Sequence, residues 1–424
     1  MHLTTLLLAT RLMMQSQAHD TLTPAAHRAL DDLRYLADDA REGRGVGTRG
    51  LEEAGRYLVR AFRAIGLAPG GDSGTYFQTF TISPDAPAAI HSTVGGKTIR
   101  NVIGVLRGRS PTRRGEIVVV GAHYDHLGYG GFGALDEPDS TGKVHNGADD
   151  NASGTTALLE VARRLAGRRL DRTVVFMAFS GEELGDLGSA YYIAHPTFPV
   201  DSIYAMLNMD MVGRMRNAKL IVSGAATAKE FPALLDSLNS SGGSQPRFDL
   251  RASGDGWGPS DHASFYAAKR PVLHFFTDLH GDYHRTTDDW DKINIVGLEA
   301  VADFVADAAT ALARRSGSLT FVDAPPPQVA AGGAGYGAYL GTIPDMSESP
   351  GGVRITGTRS GSPAQQAGLT AGDVITAIGA KTVANLYDMT DALRSHQAGD
   401  TVVIVVKRDS AVVRLTAILG KRSS

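Results

Sequence analysis

Histidines and carboxylates recur in short clusters along this 424-residue chain, and the complete absence of cysteine restricts what they can do. The clusters are His123-Tyr124-Asp125-His126, then Asn146-Gly147-Ala148-Asp149-Asp150-Asn151-Ala152-Ser153-Gly154, then Ser180-Gly181-Glu182-Glu183, Asn208-Met209-Asp210 and Tyr283-His284-Arg285-Thr286-Thr287-Asp288. With no thiolate available, a transition metal has to be held by imidazole and carboxylate, a donor set suited to zinc, manganese or cobalt. A thiol nucleophile and disulfides are excluded outright.

Amide hydrolysis needs a nucleophile stronger than neutral water and a way to hold a tetrahedral oxyanion. Two zinc ions about 3.5–4 Å apart meet both needs when one carboxylate bridges them. Each ion then takes about two further protein ligands and keeps a position open. A carboxylate outside the metal shell has to take a proton from the water and pass it to the leaving amine. The clusters hold that inventory with one carboxylate to spare. If strand geometry persists through Glu182-Glu183, the two side chains face opposite ways, one toward metal and the other toward the water. Asp150 stands just before a predicted helix, so an N-cap is the competing reading, and Asp149 or Asn151 could fill that role equally well.

The elements that must position these groups alternate along the chain. Apolar runs at 116–122, 173–179, 203–211, 220–223 and 271–276 predict strands, and helices are predicted over 24–37, 51–65, 152–165, 187–194, 228–238 and 295–313. Continuous apolar strands between helices point to an α/β fold, a mostly parallel mixed sheet with helices on both faces. In such sheets sites form beyond the C-terminal ends of the strands, and that is where the clusters fall. The composition changes after the last helix, where Pro325-Pro326-Pro327 and the Gly/Ala run ending at Gly335 read as a linker over 317–336. It would separate a domain at 19–316 from a small β-rich domain at 337–421.

In order and context the five clusters resemble the M28 family of zinc aminopeptidases, over roughly 30–313. The resemblance implies a zinc-exopeptidase fold and two zinc ions per chain, with Asp150 bridging them. His123 and Asp210 would complete one site, Glu183 and His284 the other, and Glu182 would be general acid/base to a metal-bridging hydroxide. The peptide bond after Asp150 is expected to be cis. Asp125, Trp257, Asp261 and Asp288 are expected behind the ligands or against the substrate, with Asp125 orienting His123. Ser260-Asp261-His262 resembles the family's Ser-Asp-His segment. A serine triad is set aside, because sequence neighbours rarely make one, and an orienting role or a helix N-cap at Ser260 is expected instead. Trp257 stands where some secreted members have a Tyr near the oxyanion, and an indole N–H cannot copy a phenol. His126, His145, His262, His274 and His280 are expected to be structural or to support the ligands, since five ligands already fill the set.

The segment Tyr339-Leu340-Gly341-Thr342, with 361–369 and 371–375, resembles a PDZ domain of the bacterial type. The resemblance implies a loop of backbone N–H groups for a peptide C-terminus, beside a strand edge that accepts extended peptide. A degenerate module kept for interdomain packing is the alternative. The expected partners are therefore a peptide with a free N-terminus, and a peptide C-terminus or protein ligand at the PDZ-like domain. A net charge of −3 with no basic stripe argues against nucleic acid, and no segment has the length of a membrane span. Residues 1–18 are expected to act as a signal peptide to a secreted or periplasmic location. The first Lys or Arg being Arg11 keeps a cytoplasmic location open. The functional alternatives are a glutaminyl-cyclase-like transferase with one zinc, a carboxypeptidase or dipeptidase of the same fold, and a PDZ adaptor with an inactive hydrolase domain.

Overall fold

The computed structural model describes residues 22–84, 93–131, 133–136, 142–241, 243, 245–254, 256–323, 338–344, 351–358, 361–384 and, with short gaps, 388–420. The expected signal peptide at 1–18 and the greater part of the expected linker lie outside the described residues.

Local chemistry fixes the first helices. In α1 (Pro24–Leu36) the Thr23 hydroxyl accepts from Ala26 N–H and Pro24 opens the first turn. In α2 (Arg49–Ile65) Thr48 caps Leu51 N–H, and Gly66, in the left-handed region, ends the helix. Then follow β1 (Ala68–Pro69), β2 (Phe77–Thr81), β3 (Thr98–Leu106), β4 (Ile117–His123), α3 (Gly154–Ala166), β5 (Thr173–Phe179) and α4 (Leu187–Ala194). The domain continues with β6 (Ile203–Met209), β7 (Lys219–Ser223), α5 (Phe231–Ser240), β8 (Asp249–Ser253), α6 (His262–Ala267), β9 (Val272–Phe276) and α7 (Ile295–Arg314).

The sheet order is β1-β3-β5-β4-β6-β9-β7-β8, with β2 also beside β3. Its centre, β5-β4-β6-β9, is parallel, while β3 on β5 and β7 on β9 are antiparallel. β4, β5 and β9 are buried along their whole length, as a sheet covered on both faces requires. Alternate residues serve opposite cores. Val118, Val120 and Phe176 join the cluster that includes Leu158 of α3 and Val305 of α7, while Val119, Val175 and Met177 pack with Tyr192 and Phe265.

The flanking strands β2, β3 and β8 and the short α6 were not predicted from the sequence. β3 has a buried polar residue, Asn101, whose amide nitrogen bonds Gln78 Oε1 and Gly188 O, so it breaks the apolar run without a penalty. β8 (Asp-Leu-Arg-Ala-Ser) is an edge strand on β7 with little apolar pattern to show.

The C-terminal residues form a second sheet from β10 (Thr342–Pro344), β11 (Val353–Thr358), β12 (Val374–Ile378), β13 (Lys381–Thr382), β14 (Thr401–Arg408) and β15 (Ala411–Ile418). It has its own core, including Leu340, Ile355, Ile375 and Ile404. Among the described residues no helix is long and apolar enough to cross a membrane.

Candidate metal centre

The four central strands deliver the expected ligands to one rim. His123 is the last residue of β4, Glu182 and Glu183 follow β5, Asp210 follows β6, and His284 lies in the loop after β9. Asp150 sits in the turn Ala148–Ser153 that leads into α3. Its two carboxylate oxygens part company: Oδ1 is 3.3 Å from His123 Nε2, and Oδ2 is 3.1 Å from His284 Nε2. Asp210 Oδ1 is also 3.3 Å from His123 Nε2, and Glu183 Oε2 is 3.1 Å from His284 Nε2. The result is a His123–Asp210 pair and a His284–Glu183 pair with one aspartate between them.

Glu182 and Glu183 face apart, although the strand does not persist to them: β5 ends at Phe179 and Gly181 has φ +83°. Glu182 Oε2 lies 3.9 Å from His123 Nε2, on one side, while Glu183 Oε1 lies 2.6 Å from His126 Nδ1, on the other. Donor atoms of His123, Glu182 and Asp210 fall within 4.8 Å of one another, as do those of His126, Asp150 and Glu183.

The Asp150 turn is shaped from several directions. The Asp150–Asn151 peptide bond is cis, as the resemblance implied. Asp288 Oδ2 accepts the N–H groups of Asp149 at 2.8 Å and Asp150 at 3.1 Å. Asn151, not Asp150, serves the helix start: its Oδ1 accepts from Gly154 N–H at 2.8 Å, and its Nδ2 donates to Met209 O at 3.0 Å. The Asp150 carboxylate is thereby left to the two histidines, and the N-cap reading of Asp150 fails. Gly147 must be glycine, since at φ +53° an added Cβ would lie 2.1 Å from Asp150 O and 2.4 Å from the His126 ring.

Asp125 acts differently from the expectation. His123 Nδ1 is 3.2 Å from the Asp125 backbone oxygen and 3.8 Å from its carboxylate, so the main chain orients the imidazole. The Asp125 carboxylate instead accepts the Glu182 N–H at 3.2 Å, and burial pushes its pKa up to about 6. His284 is fixed similarly, with Nδ1 2.9 Å from Gly133 O and Nε2 turned to the carboxylates.

The electrostatics show how strongly the rim favours positive charge. Burial works to lower the pKa of His284, yet Glu183 and Asp150 outweigh it and raise it to about 10. His123 is likewise raised well above its ordinary range, with Asp210, Glu182 and Asp150 overcoming its burial. In return, His284 and His126 hold Glu183 at about 2, against burial. Glu182 is raised well above the usual carboxylate range by burial, and its nearby carboxylates add to this. Buried carboxylates that hold protons on imidazole this firmly suit divalent cations bound by the same atoms. The imidazoles and carboxylates gathered at the rim therefore suit a divalent ion such as zinc.

The remaining expected residues divide. Asp288 supports the Asp150 turn as described. Asp261 is buried at the N-cap of α6 without a side-chain capping bond, and the Ser260 hydroxyl accepts from Asn208 Nδ2 at 2.8 Å, so the N-cap expected at Ser260 is not formed. Trp257 packs edge-on against Tyr266 and joins the apolar cluster on that face. His262 stacks on His274, His145 Nε2 meets Asp136 Oδ2 at 2.8 Å, and His280 Nε2 lies 3.1 Å from Asp149 Oδ2, all in keeping with structural roles. His126 stands closest to the ligands of this group, against Glu183. Two contributors escaped the sequence reading. Tyr283 stacks on the His284 imidazole with ring centroids 3.9 Å apart, a position its sequence neighbour could have suggested. Arg44 lies far from every cluster, and no spacing rule connects it to them.

In the C-terminal domain Leu340 O accepts Ala364 N–H at 2.8 Å, and Gly341 has φ +80° with Ser362 so close that an added Cβ would sit 2.3 Å from its Cβ. The Tyr339–Thr342 loop is thus packed against the start of the short helix α8 (Pro363–Gln366).

These features define an α/β fold of the zinc-exopeptidase type with a histidine–carboxylate cluster that could hold metal. Residues 101–309 match the profile of peptidase family M28, and residues 338–419 match that of the PDZ domain. A segment matching the M28 peptidase family is thus followed by one matching the PDZ domain. Among curated relatives, aminopeptidase YwaD of Bacillus subtilis (strain 168) is 28% identical over 221 residues, covering 50% of this chain and 44% of that protein. Leucine aminopeptidase 1 of Trichophyton equinum is 34% identical over 122 residues, 27% of this chain and 30% of that one. The chain spans about half the length, or less, of the curated relatives it matches. Among solved structures, a Zn-dependent exopeptidase from Parabacteroides distasonis superposes with a TM-score of 0.56 at 20% identity, covering 67% of this chain and 97% of that one. A glutaminyl cyclase from Porphyromonas gingivalis gives a TM-score of 0.55 at 20% identity, with 67% and 96% covered. At such identity these neighbours share the fold.

Proposed function

We propose that this chain is a two-zinc aminopeptidase that removes the residue at the free N-terminus of a peptide. The observation that carries this reading is the split carboxylate of Asp150, with one oxygen toward His123 and the other toward His284. His123 and Asp210 would complete one ion's ligands, and Glu183 and His284 the other's. Bound zinc would supply Lewis acidity at the peptide carbonyl and a lowered pKa for water. The aminopeptidase names of the curated relatives support the same activity.

Glu182 is suited to moving the proton. It is partly exposed at the rim, and its nearest imidazole contact is the long one to His123 at 3.9 Å. Its carboxylate takes the proton from the attacking water and delivers it to the leaving amine nitrogen. Asp125 holds it in place by accepting the Glu182 N–H. The free α-amine of a peptide would lie beside one ion, which would select free N-termini. At the C-terminal domain, the Tyr339–Thr342 loop would receive a peptide carboxylate beside the edge of β10.

The test is metal analysis of the purified chain together with hydrolysis of aminoacyl-nitroanilides, with and without an N-acetyl block. Two zinc ions per chain and cleavage of the unblocked substrates alone are expected. One zinc per chain with cyclisation of N-terminal glutamine would replace this reading with a glutaminyl-cyclase one, and cleavage of N-acetylated peptides that keep a free C-terminal carboxylate would point to a carboxypeptidase.

A further inference from the structure

Arg44 precedes the residues that match the M28 profile, yet its side chain is wholly buried among the loops that carry the ligands. Its guanidinium donates from Nε to Tyr124 O at 2.8 Å and from Nη2 to Gly147 O at 2.8 Å. From Nη1 it donates to Leu36 O and Asn146 O, both at 2.7 Å. Its own carbonyl accepts the His126 N–H at 3.2 Å. Two segments therefore meet on one residue: 124–126, which follows ligand His123, and 146–147, which opens the Asp150 turn.

The chemistry suits arginine alone. A guanidinium presents its N–H groups as a rigid planar fork and can serve diverging carbonyls at once, whereas an ammonium is a point charge on a flexible stem. Burial lowers the Arg44 pKa to about 10, with Asp125, Asp150, Asp288 and Glu183 opposing it, so the side chain is a cation at neutral pH. The surrounding chain is closely fitted: a Cβ on Gly43 would lie 2.3 Å from His145 O and 2.5 Å from Gly128 O. Arg44 itself has φ 47°, a backbone conformation that residues with side chains adopt only when their surroundings enforce it.

We infer that Arg44 is a positioning residue of the metal centre, clamping the loop after His123 to the turn that carries Asp150 and so setting the geometry of the ligand set between them. Arg44 is thereby part of the site, although it lies outside the family match. The inference rests on the zinc reading above.

The experiment compares zinc affinity, by chelator competition, in the full-length wild type, Arg44→Lys and Arg44→Met, alongside thermal melting of the metal-stripped proteins. A folded Arg44→Lys chain should bind zinc about 10- to 100-fold more weakly, with the loss in kcat/KM coming through kcat. A folded variant with wild-type zinc affinity and kcat overturns the clamp. Should neither variant fold, hydrogen exchange on the wild type decides. Amides of 38–46 should gain protection with zinc together with those of 124–126 and 146–150, and protection of the ligand loops without 38–46 overturns the inference. A wild type that takes up no zinc removes the metal reading and the clamp together, a result distinct from wild type and Arg44→Lys binding zinc alike.

Discussion

His126 Nδ1 stands 2.6 Å from Glu183 Oε1, which leaves Glu183 Oε2 for the side of His284. The imidazole thus fixes which oxygen of the carboxylate is offered to a cation. His126→Ala should weaken zinc binding by about 10- to 100-fold, the usual effect of removing a group that orients a ligand. Chelator competition measures this, and unchanged affinity would assign His126 to packing alone.

Glu182→Gln keeps the side chain's shape and removes its basicity. Turnover should fall by about a hundred- to ten-thousand-fold while zinc content and the melting temperature stay at the wild-type values. A variant that keeps its kcat would show that another group carries the proton.

Gly147→Ala places a methyl group against Asp150 O and the His126 ring at a backbone angle that alanine avoids. The turn has to move, so zinc uptake should drop and the chain should lose more than about 1 kcal/mol of stability. Denaturant titration of metal-free and zinc-loaded protein separates the two effects.

Acid should loosen the C-terminal domain through Asp373. Its buried carboxylate is held below the ordinary value of 3.8, with the Arg408 guanidinium, bonded at 2.7 and 2.8 Å, overcoming the effect of burial. A folded-state pKa below the unfolded one means the contribution is complete above pH 4 or so and is lost as the pH falls through the depressed value. Exchange protection of β12 and β14 amides, corrected for intrinsic rate, should therefore decline below pH 4, and Asp373→Asn should show a flatter profile over that range.

The parallel centre of the sheet was legible because β4, β5, β6 and β9 are covered on both faces and so appear as mainly apolar runs, despite Asn208 in β6 and His274 in β9. Their C-terminal ends then gave the neighbourhood of His123, Glu183, Asp210 and His284. Asp150 was harder, since sequence alone could not separate a ligand from a cap, and the Asn151 side chain decides it by accepting the Gly154 N–H at the helix start. β3 was hidden because Asn101 interrupts its apolar run while being satisfied by Gln78 and Gly188. Asp125 misled for a different reason: residue type suggested a carboxylate contact to His123, whereas the nearer atom is a main-chain oxygen that every residue has. Arg44 gave no signal, because its partners are carbonyls and carbonyls have no sequence.

The side chains gathered at the rim come from strand ends and loops between His123 and His284. No shorter stretch of this chain brings the two histidines to opposite sides of Asp150. During synthesis, whatever cutting power the centre has is therefore withheld until β9 has docked on β6 and the loop beyond it has closed. If the centre acts as proposed, a chain still short of His284 lacks one of its two histidines and cannot yet cut.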